Sequence, residues 1–150
     1  MEKNLKSYLE KYNIKYKIHK HQAVFTVEES KKIKMDYTGM HTKSLFLKSE
    51  EGNFYLVCMS AEKRLNLKFL KKHLKTKKLH FSSEKELKLI LNLTPGSVSI
   101  FGLINDEKNQ TSLILDKEVW DAETVGFHPN INTETLELSH NDFENFYNSI

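Results

Sequence analysis

Lys43 is the residue whose type and position most directly suggest chemistry. The residues around it predict a strand, and side chains two apart on a strand share a face, so Lys43 shares a face with Leu45 and Leu47. If these leucines face the core, Lys43 enters at the rim of the same interior. The lysine then either extends its aliphatic stem to solvent or lies in a cleft for an anionic ligand. Spacing alone leaves both interpretations open.

The histidines and the single cysteine give weaker signals. His19 and His21 share one face of a predicted strand and could chelate a metal, but no third ligand is indicated, which favours ordinary surface histidines. His128 lies in the segment FHPN, which is also compatible with a simple loop. Cys58 lies in an apolar strand without a partner cysteine, which indicates a buried structural thiol and excludes an internal disulfide.

Composition and motif searches exclude several classes of protein. The chain of 150 residues is 39% hydrophobic and 29% charged, which predicts one globular domain over residues 1–150. No apolar run approaches the roughly 20 residues of a membrane span, and the N-terminus lacks the apolar core of a secretory signal. The sequence contains no Walker loop, GxGxxG, GxSxG or HExxH. We therefore expect a cytoplasmic protein without a membrane partner.

Charge is distributed unevenly along the chain. Residues 63–88 hold ten Lys or Arg and two acidic residues, whereas residues 106–150 hold ten acidic residues and two Lys. This asymmetry indicates either a basic face for a polyanion or two solvated surfaces. The basic stretch includes a predicted helix over residues 66–75 whose outer side carries four lysines: Lys68, Lys71, Lys72 and Lys75.

Helices and strands are interleaved along the sequence. A capping box at Ser83 opens one predicted helix, and a similar pattern at Thr26 and Glu29 indicates another helix start. The spacing of apolar residues predicts helices over residues 5–12, 66–75, 84–91 and 140–150, and strands over residues 16–19, 40–48, 53–60, 98–104, 111–115 and 135–138. Hairpin signals imply antiparallel pairing, so the predicted class is α+β.

Four segments, in order along the chain, resemble the YbaK/ProX family, the editing domain associated with prolyl-tRNA synthetase. Residues 21–29 (HQAVFTVEE) resemble its early T-x-E-E signature, and residues 42–47 (TKSLFL) its K-N-L-F-L strand. Residues 95–106 (PGSVSIFGLIND) resemble its glycine loop, and residues 125–133 (VGFHPNINT) the F-H-P-x-x-N-T segment of the free-standing ProX branch. Two residues depart from the pattern: Ser44 stands where Asn is usual and Ile100 where Pro is usual.

The resemblance implies a fold and an activity. The fold is a curved mixed β-sheet, partly barrel-like and flanked by helices. The activity is hydrolysis of the aminoacyl ester of mischarged tRNA, without a metal or an organic cofactor. The ProX branch implies Ala-tRNA(Pro) as substrate; deacylation of Ser, Cys or Thr esters, or a non-catalytic tRNA-binding or regulatory module, are the alternatives. The implied partners are the acceptor end of tRNA and prolyl-tRNA synthetase.

The resemblance also implies roles for individual residues. Lys43 supplies positive charge to the terminal nucleotide or the ester, the loop at Gly96 approaches the carbonyl, and His128 contributes to the pocket or to hydrogen bonding. We expect these three catalytic residues around one cleft. The implied substrate-binding residues are Phe25, Thr26, Ser44, Ile100, Phe101, Gly102 and Asn130, and the basic helix residues Lys68, Lys71, Lys72 and Lys75 are assigned to the tRNA backbone.

Overall fold

A computed structural model describes residues 1–23 and 38–150 of the chain. The helices in these ranges are α1 (Lys3–Lys11), α2 (Leu67–Leu74), α3 (Glu84–Leu91), α4 (Lys117–Asp121), α5 (His140–Ser149) and a 3₁₀ helix (Ile100–Asn105). The strands are β1 (Lys17–Lys20), β2 (Met40–Ser49), β3 (Phe54–Ser60), β4 (Leu79–Phe81), β5 (Thr111–Leu115), β6 (Thr124–Phe127) and β7 (Glu134–Ser139). None of the helices in these ranges is both long and apolar enough to traverse a lipid bilayer.

The strands form one mixed sheet in the order β1-β7-β6-β2-β3-β5, and β4 joins it beside β2. The pairs β2–β6 and β3–β5 are parallel, and the other pairs are antiparallel. Within the described ranges the end strands β1 and β5 do not pair with each other, so the sheet stays open and does not close into a barrel. The predicted α+β class, with a mixed sheet flanked by helices, is confirmed.

Strand β2 divides one of its edges between two partners. At its start, Met40 and His41 pair with β6, and at its end, residues 47–49 pair with β4. Residues 42–46 lie between these two partners, with no described strand paired to this edge. The sheet therefore has a split beside the middle of β2.

The direction of the β2 backbone groups follows from its pairing with β3. The carbonyl of His41 accepts from the Ala61 amide at 2.8 Å, and the Ser49 amide donates to the Asn53 carbonyl at 2.9 Å. In an antiparallel ladder the N–H and C=O of one residue point to the same side, and successive residues alternate. The odd-numbered residues of β2 thus bond toward β3. The amide and carbonyl of Ser44 consequently face the split.

Two apolar clusters cover the two faces of the sheet. The larger contains Phe46 and Cys58 of the sheet together with residues of α1, α3 and α5 and the 3₁₀ helix. Aromatic rings connect its parts: Phe101 lies 5.0 Å from Phe146 and 5.8 Å from Phe127, measured between ring centroids. The smaller cluster joins α2 to the opposite face and consists of Leu47, Val57, Leu70 and Leu79. Burying these apolar side chains is the main stabilising contribution to the fold.

Helix boundaries agree closely with the capping signals in the sequence. The Asn66 side chain accepts from the Phe69 amide at 3.0 Å and begins α2. Ser83 and Glu86 form both bonds of the predicted capping box at the start of α3. Ser139 accepts from the Asp142 amide at 3.2 Å and begins α5. The predicted box at residues 26–29 lies outside the described residues.

The predicted strand over residues 98–104 is wrong, because residues 100–105 form the 3₁₀ helix. Ser99 caps this helix by accepting from the Phe101 amide at 3.2 Å, and Ile100, Phe101 and Gly102 after it are buried. A short, fully buried apolar run has no period that distinguishes a strand from a helix. Helix α4 and strands β4 and β6 were not predicted from the sequence, since they are only three to five residues long.

Candidate active site

A cavity of about 400 Å³ opens at the split in the sheet. Its volume falls within the range of small-molecule sites. One wall is the middle of β2, a second is the end of β6, and the others come from the segment before the 3₁₀ helix and from the β4–α3 connection. The lining residues are Thr42, Lys43, Ser44, Leu45, Phe46, Ala61, Phe81, Ser82, Glu84, Leu87, Pro95, Gly96, Val98, Ser99, Phe127 and His128.

Lys43, Gly96 and His128 all lie on the wall of this cavity. They come from three segments that are more than 30 residues apart in the sequence, so the fold brings them together. Lys43 lies on β2, Gly96 in the turn after α3, and His128 directly after β6. The geometry thus gathers a cation, a turn and an imidazole around one space. Their chemical roles stay predictions.

Thr42 and Ser44 fix the β2 wall of the cavity. The Thr42 hydroxyl donates to the Gly126 carbonyl at 2.7 Å, and it holds β6 against β2 at the point where the two strands separate. The hydroxyls of Thr42 and Ser44 also hydrogen-bond to the thiol of Cys58, whose pKa burial raises to about 12. The thiol is therefore protonated and unreactive at neutral pH, as the sequence predicted for a structural cysteine.

The turn at residues 94–97 explains why glycine stands at position 96. The Ser97 amide donates to the Thr94 carbonyl at 3.1 Å, and Gly96 has φ +88°. With Pro95 before it, this is the pattern of a type II turn, in which the third residue needs a positive φ. Glycine adopts that conformation without steric cost, and its missing side chain lets a ligand approach the backbone closely.

His128 is held in a largely buried position beside the cavity. Burial lowers its pKa to about 4, and repulsion from a protonated His21, whose ring centroid lies 5.9 Å away, adds to this effect. The ring of His21 is itself oriented: Nδ1 donates to the Gln22 carbonyl at 2.8 Å, and Nε2 bonds to the Thr135 hydroxyl at 2.9 Å. At neutral pH His128 is therefore an uncharged hydrogen-bonding group and a weak base.

Other residues assigned to the substrate lie away from the cavity wall. Ile100 and Phe101 are fully buried in the larger cluster. Gly102 is packed so closely that an added Cβ would lie 2.6 Å from Leu93 Cδ1. Asn130 is buried in a left-handed conformation, and its side-chain amide makes no hydrogen bond within the described residues. Contact of these residues with substrate stays a prediction, and Phe25 and Thr26 lie outside the described residues.

The four lysines assigned to the tRNA backbone belong to α2 and its C-cap. Lys68, Lys72 and Lys75 are exposed and Lys71 is half-buried. Helix α2 lies on the sheet face opposite the larger cluster, where its Leu70 packs against Leu79 of β4. These lysines do not line the cavity, so any contact they make is with a ligand that extends beyond it.

Several lining residues had no signal in the sequence. Phe81, Ser82 and Glu84 reach the cavity because β4 pairs with the end of β2. A three-residue strand is too short to show alternation, and its partner lies more than 30 residues earlier.

The histidine pair considered for metal binding has other partners. His19 Nε2 lies 3.2 Å from Glu137 Oε1, and His21 makes the two bonds described above. In residues 1–23 and 38–150, no cluster of three or more His, Cys, Asp or Glu side chains is arranged to hold a metal ion.

Comparison with known proteins identifies the family. The family model of the aminoacyl-tRNA editing domain matches residues 21–146. The chain belongs to this family. The match spans the β2 wall, the turn at Gly96 and the segment of His128, so the whole described cavity lies within the editing domain.

Curated relatives and solved structures agree with this assignment. The chain is 36% identical over 137 residues to the prolyl-tRNA editing protein ProX of Acetoanaerobium sticklandii, covering 91% of this chain and 84% of that protein. It is 31% identical to prolyl-tRNA synthetase associated domain-containing protein 1 of Mus musculus, covering 87% of this chain and 79% of that protein. The solved structure of a candidate trans-editing enzyme for prolyl tRNA synthetase superposes with a TM-score of 0.71 at 16% identity, covering 97% and 92% of the two chains. At 16% identity, this structural similarity shows the fold alone.

Proposed function

We propose that this editing domain is a deacylase that acts in trans on mischarged tRNA and prefers Ala-tRNA(Pro). The observation that carries the proposal is the meeting of Lys43, the Gly96 turn and His128 around one cavity. Membership of the aminoacyl-tRNA editing family and the likeness to the prolyl-tRNA editing protein ProX support the same activity. The substrate is mischarged tRNA that is not bound to the synthetase, and prolyl-tRNA synthetase is a proposed partner.

The residues of the cavity suit the hydrolysis of an activated ester. Water adds to the carbonyl carbon, the bond to the ribose oxygen breaks, and the ribose hydroxyl and the free amino acid are released. Negative charge develops on the carbonyl oxygen during this step, and preorganised donors and cations stabilise it. Lys43 supplies the cation, and the Ser44 amide, which faces the split, supplies a backbone donor. These groups lower the barrier by position and charge, without a covalent intermediate.

His128 has a positioning role in this proposal. With its pKa lowered to about 4, the ring is neutral at physiological pH and does not repel the ammonium of Lys43 or of the amino acid. Its weak basicity makes it a poor acceptor of the water proton. We therefore assign it to hydrogen bonding with the ester or the attacking water.

Selection of alanine over proline rests on size. A pocket that closes around a methyl group excludes the pyrrolidine ring by overlap, and steric exclusion of a larger side chain discriminates more strongly than the weaker packing of a smaller one. The cognate product, Pro-tRNA(Pro), thereby escapes hydrolysis. The segment Phe127-His128-Pro129 resembles the F-H-P segment of the ProX branch. This resemblance supports alanine as the amino acid that is removed.

A deacylation panel tests the proposal. The purified chain is mixed with tRNA(Pro) carrying alanine or proline, and with tRNAs carrying serine, cysteine or threonine, and the loss of each ester is followed in time. We expect hydrolysis of the alanyl ester to be fastest and of the prolyl ester to match the rate in buffer. Faster loss of a serine, cysteine or threonine ester would redirect the substrate assignment. No acceleration with any ester would favour a non-catalytic tRNA-binding module.

A further inference from the structure

Phe81 is an exposed aromatic side chain on the wall of the cavity. Among the residues that the structure describes, three phenylalanines line this space, and they differ sharply in exposure: Phe46 is 3% and Phe127 is 2% exposed, whereas Phe81 is 63% exposed. Phe46 and Phe127 belong to the larger apolar cluster. Phe81 alone among these three presents most of its ring to an incoming ligand.

The position of Phe81 relative to Lys43 is set by strand register. Phe81 pairs directly with Leu47, so both side chains lie on the same face of the sheet, which is also the face of Leu45 and Lys43. Lys43 lies four residues from Leu47 along β2, a distance of about 13 Å at 3.3 Å per residue. A nucleoside together with an extended lysine side chain spans such an interval. A base at Phe81 would thus place the ester of its own ribose near Lys43.

The backbone around Phe81 is fixed in place. The amide of the next residue, Ser82, donates to the Phe46 carbonyl at 3.0 Å and continues the β4–β2 pairing to the cavity edge. Lys48 and Glu86 form an ion pair of 2.6 Å that ties β2 to α3, the helix after β4. A fixed backbone at this position limits the entropy that the site loses when a flat ring stacks on the side chain.

We propose that Phe81 is the platform on which the terminal adenine of the tRNA 3′ end stacks, orienting its aminoacyl ester toward Lys43. This inference rests on the proposed deacylase function. Stacking on an aromatic side chain suits a nucleobase, because every base has a π-face and the contact needs no charge. Leu70 of the basic helix α2 belongs to the same apolar cluster as Leu79, the residue two before Phe81. In this proposal the lysines of α2 contact the phosphates that precede the terminal nucleotide.

The test compares Phe81→Ala, Phe81→Tyr and the wild-type chain. The matched control is Leu89→Ala, which removes an exposed apolar side chain of α3 that does not line the cavity. In steady-state deacylation of alanyl-tRNA(Pro), Phe81→Ala raises KM on the order of tenfold, while Phe81→Tyr and Leu89→Ala stay near the wild-type value. Circular dichroism establishes that each variant is folded. An unchanged KM in folded Phe81→Ala overturns the inference and leaves the deacylase function standing.

A binding measurement makes the inference independent of catalysis. An RNA minihelix carrying the acceptor stem of tRNA(Pro) is made with 2-aminopurine as its terminal base, whose fluorescence is quenched by stacking. Wild type and Phe81→Tyr quench this signal, and Phe81→Ala does not. If the wild-type chain hydrolyses no ester yet quenches the probe, the proposed function fails and the platform stands. Equal quenching by wild type and Phe81→Ala refutes the platform.

Discussion

At the scale of single residues, Lys43 combines charge with a position on the cavity wall. Lys43→Ala is expected to lower kcat/KM for alanyl-tRNA(Pro) on the order of 10²- to 10³-fold, because one preorganised electrostatic group contributes about this much to an ester hydrolysis. Lys63→Ala is the matched control, since Lys63 is exposed and pairs with Asp116 at 3.1 Å outside the cavity. A rate for Lys43→Ala within twofold of the control would contradict the role assigned to Lys43.

The lowered pKa of His128 predicts a dependence of stability on pH. The folded chain binds the His128 proton only near pH 4, whereas an unfolded histidine binds it near pH 6.5, so the unfolded state takes up more protons between these values. The free energy of unfolding therefore loses nothing to His128 above pH 6.5, and it declines as the pH falls toward 4. The decline due to this group is at most about 3.4 kcal/mol, from 1.36 kcal/mol per pKa unit.

Denaturant unfolding between pH 7.5 and pH 4.5 measures this effect. His128→Asn is expected to lose less stability across the range than the wild-type chain, because the variant has no imidazole to protonate. His80→Asn, which removes an exposed histidine of β4, serves as the control and should follow the wild type. Parallel curves for wild type and His128→Asn would argue against a buried neutral ring.

Some of the site could be predicted residue by residue and some could not. The alternation around Lys43 placed it on the face of Leu45 and Leu47, and the structure confirms that face. Whether Lys43 reached solvent or a cleft was undecidable from spacing, because the cleft exists only where β2 exchanges one partner strand for another. Phe81 was missed for the same reason: its place on the wall depends on a long-range strand pairing.

At the scale of elements, helix α2 and its C-cap carry four lysines on the face of the sheet to which Leu47 and Phe81 belong. Replacing Lys68, Lys71, Lys72 and Lys75 with Gln is expected to weaken tRNA binding at low salt and to flatten its salt dependence, since fewer lysines on the phosphates displace fewer counterions from the RNA. Binding is followed by fluorescence anisotropy of labelled tRNA(Pro) over a series of salt concentrations. The control replaces four exposed lysines elsewhere with Gln, for the same change in net charge: Lys6, Lys11, Lys15 and Lys17. Equal weakening by both variants would mean that only net charge matters.

Elements with side-chain caps were the most predictable parts of the fold. Helices α2, α3 and α5 begin at a cap residue whose side chain accepts a backbone amide, and a cap is a local signal. The 3₁₀ helix was predicted as a strand, although Ser99 caps it as well. There the segment from Ile100 to Ile104 is an unbroken apolar run, and a run without polar positions shows no helical spacing in the sequence.

At the scale of the whole molecule, the aromatic rings packed around Phe101 join the helices to the sheet. Phe101→Ala is expected to lower the free energy of unfolding by about 3–5 kcal/mol, the usual cost of emptying a buried aromatic site. Phe69→Ala makes the same chemical change at a side chain that is 65% exposed, and should cost far less. Thermal or denaturant unfolding of both variants gives the comparison. Similar losses would show that Phe101 does not anchor the larger cluster.

The order of strands along the chain has a consequence for synthesis on the ribosome. Strands β2, β3, β4 and β5 all lie before residue 116 and pair with one another, whereas β1 must wait for β7, which ends at Ser139. Synthesis from the end of β5 to the end of β7 takes about one to five seconds at roughly 5 to 20 residues per second. During this time the nascent chain contains only part of the sheet. At the start of that interval Lys43 and Gly96 have emerged, and His128 emerges about halfway through it, before β7 is complete. The newborn protein therefore cannot complete its cavity before His128 has emerged, and a copy interrupted before that residue cannot act on the tRNAs that surround it.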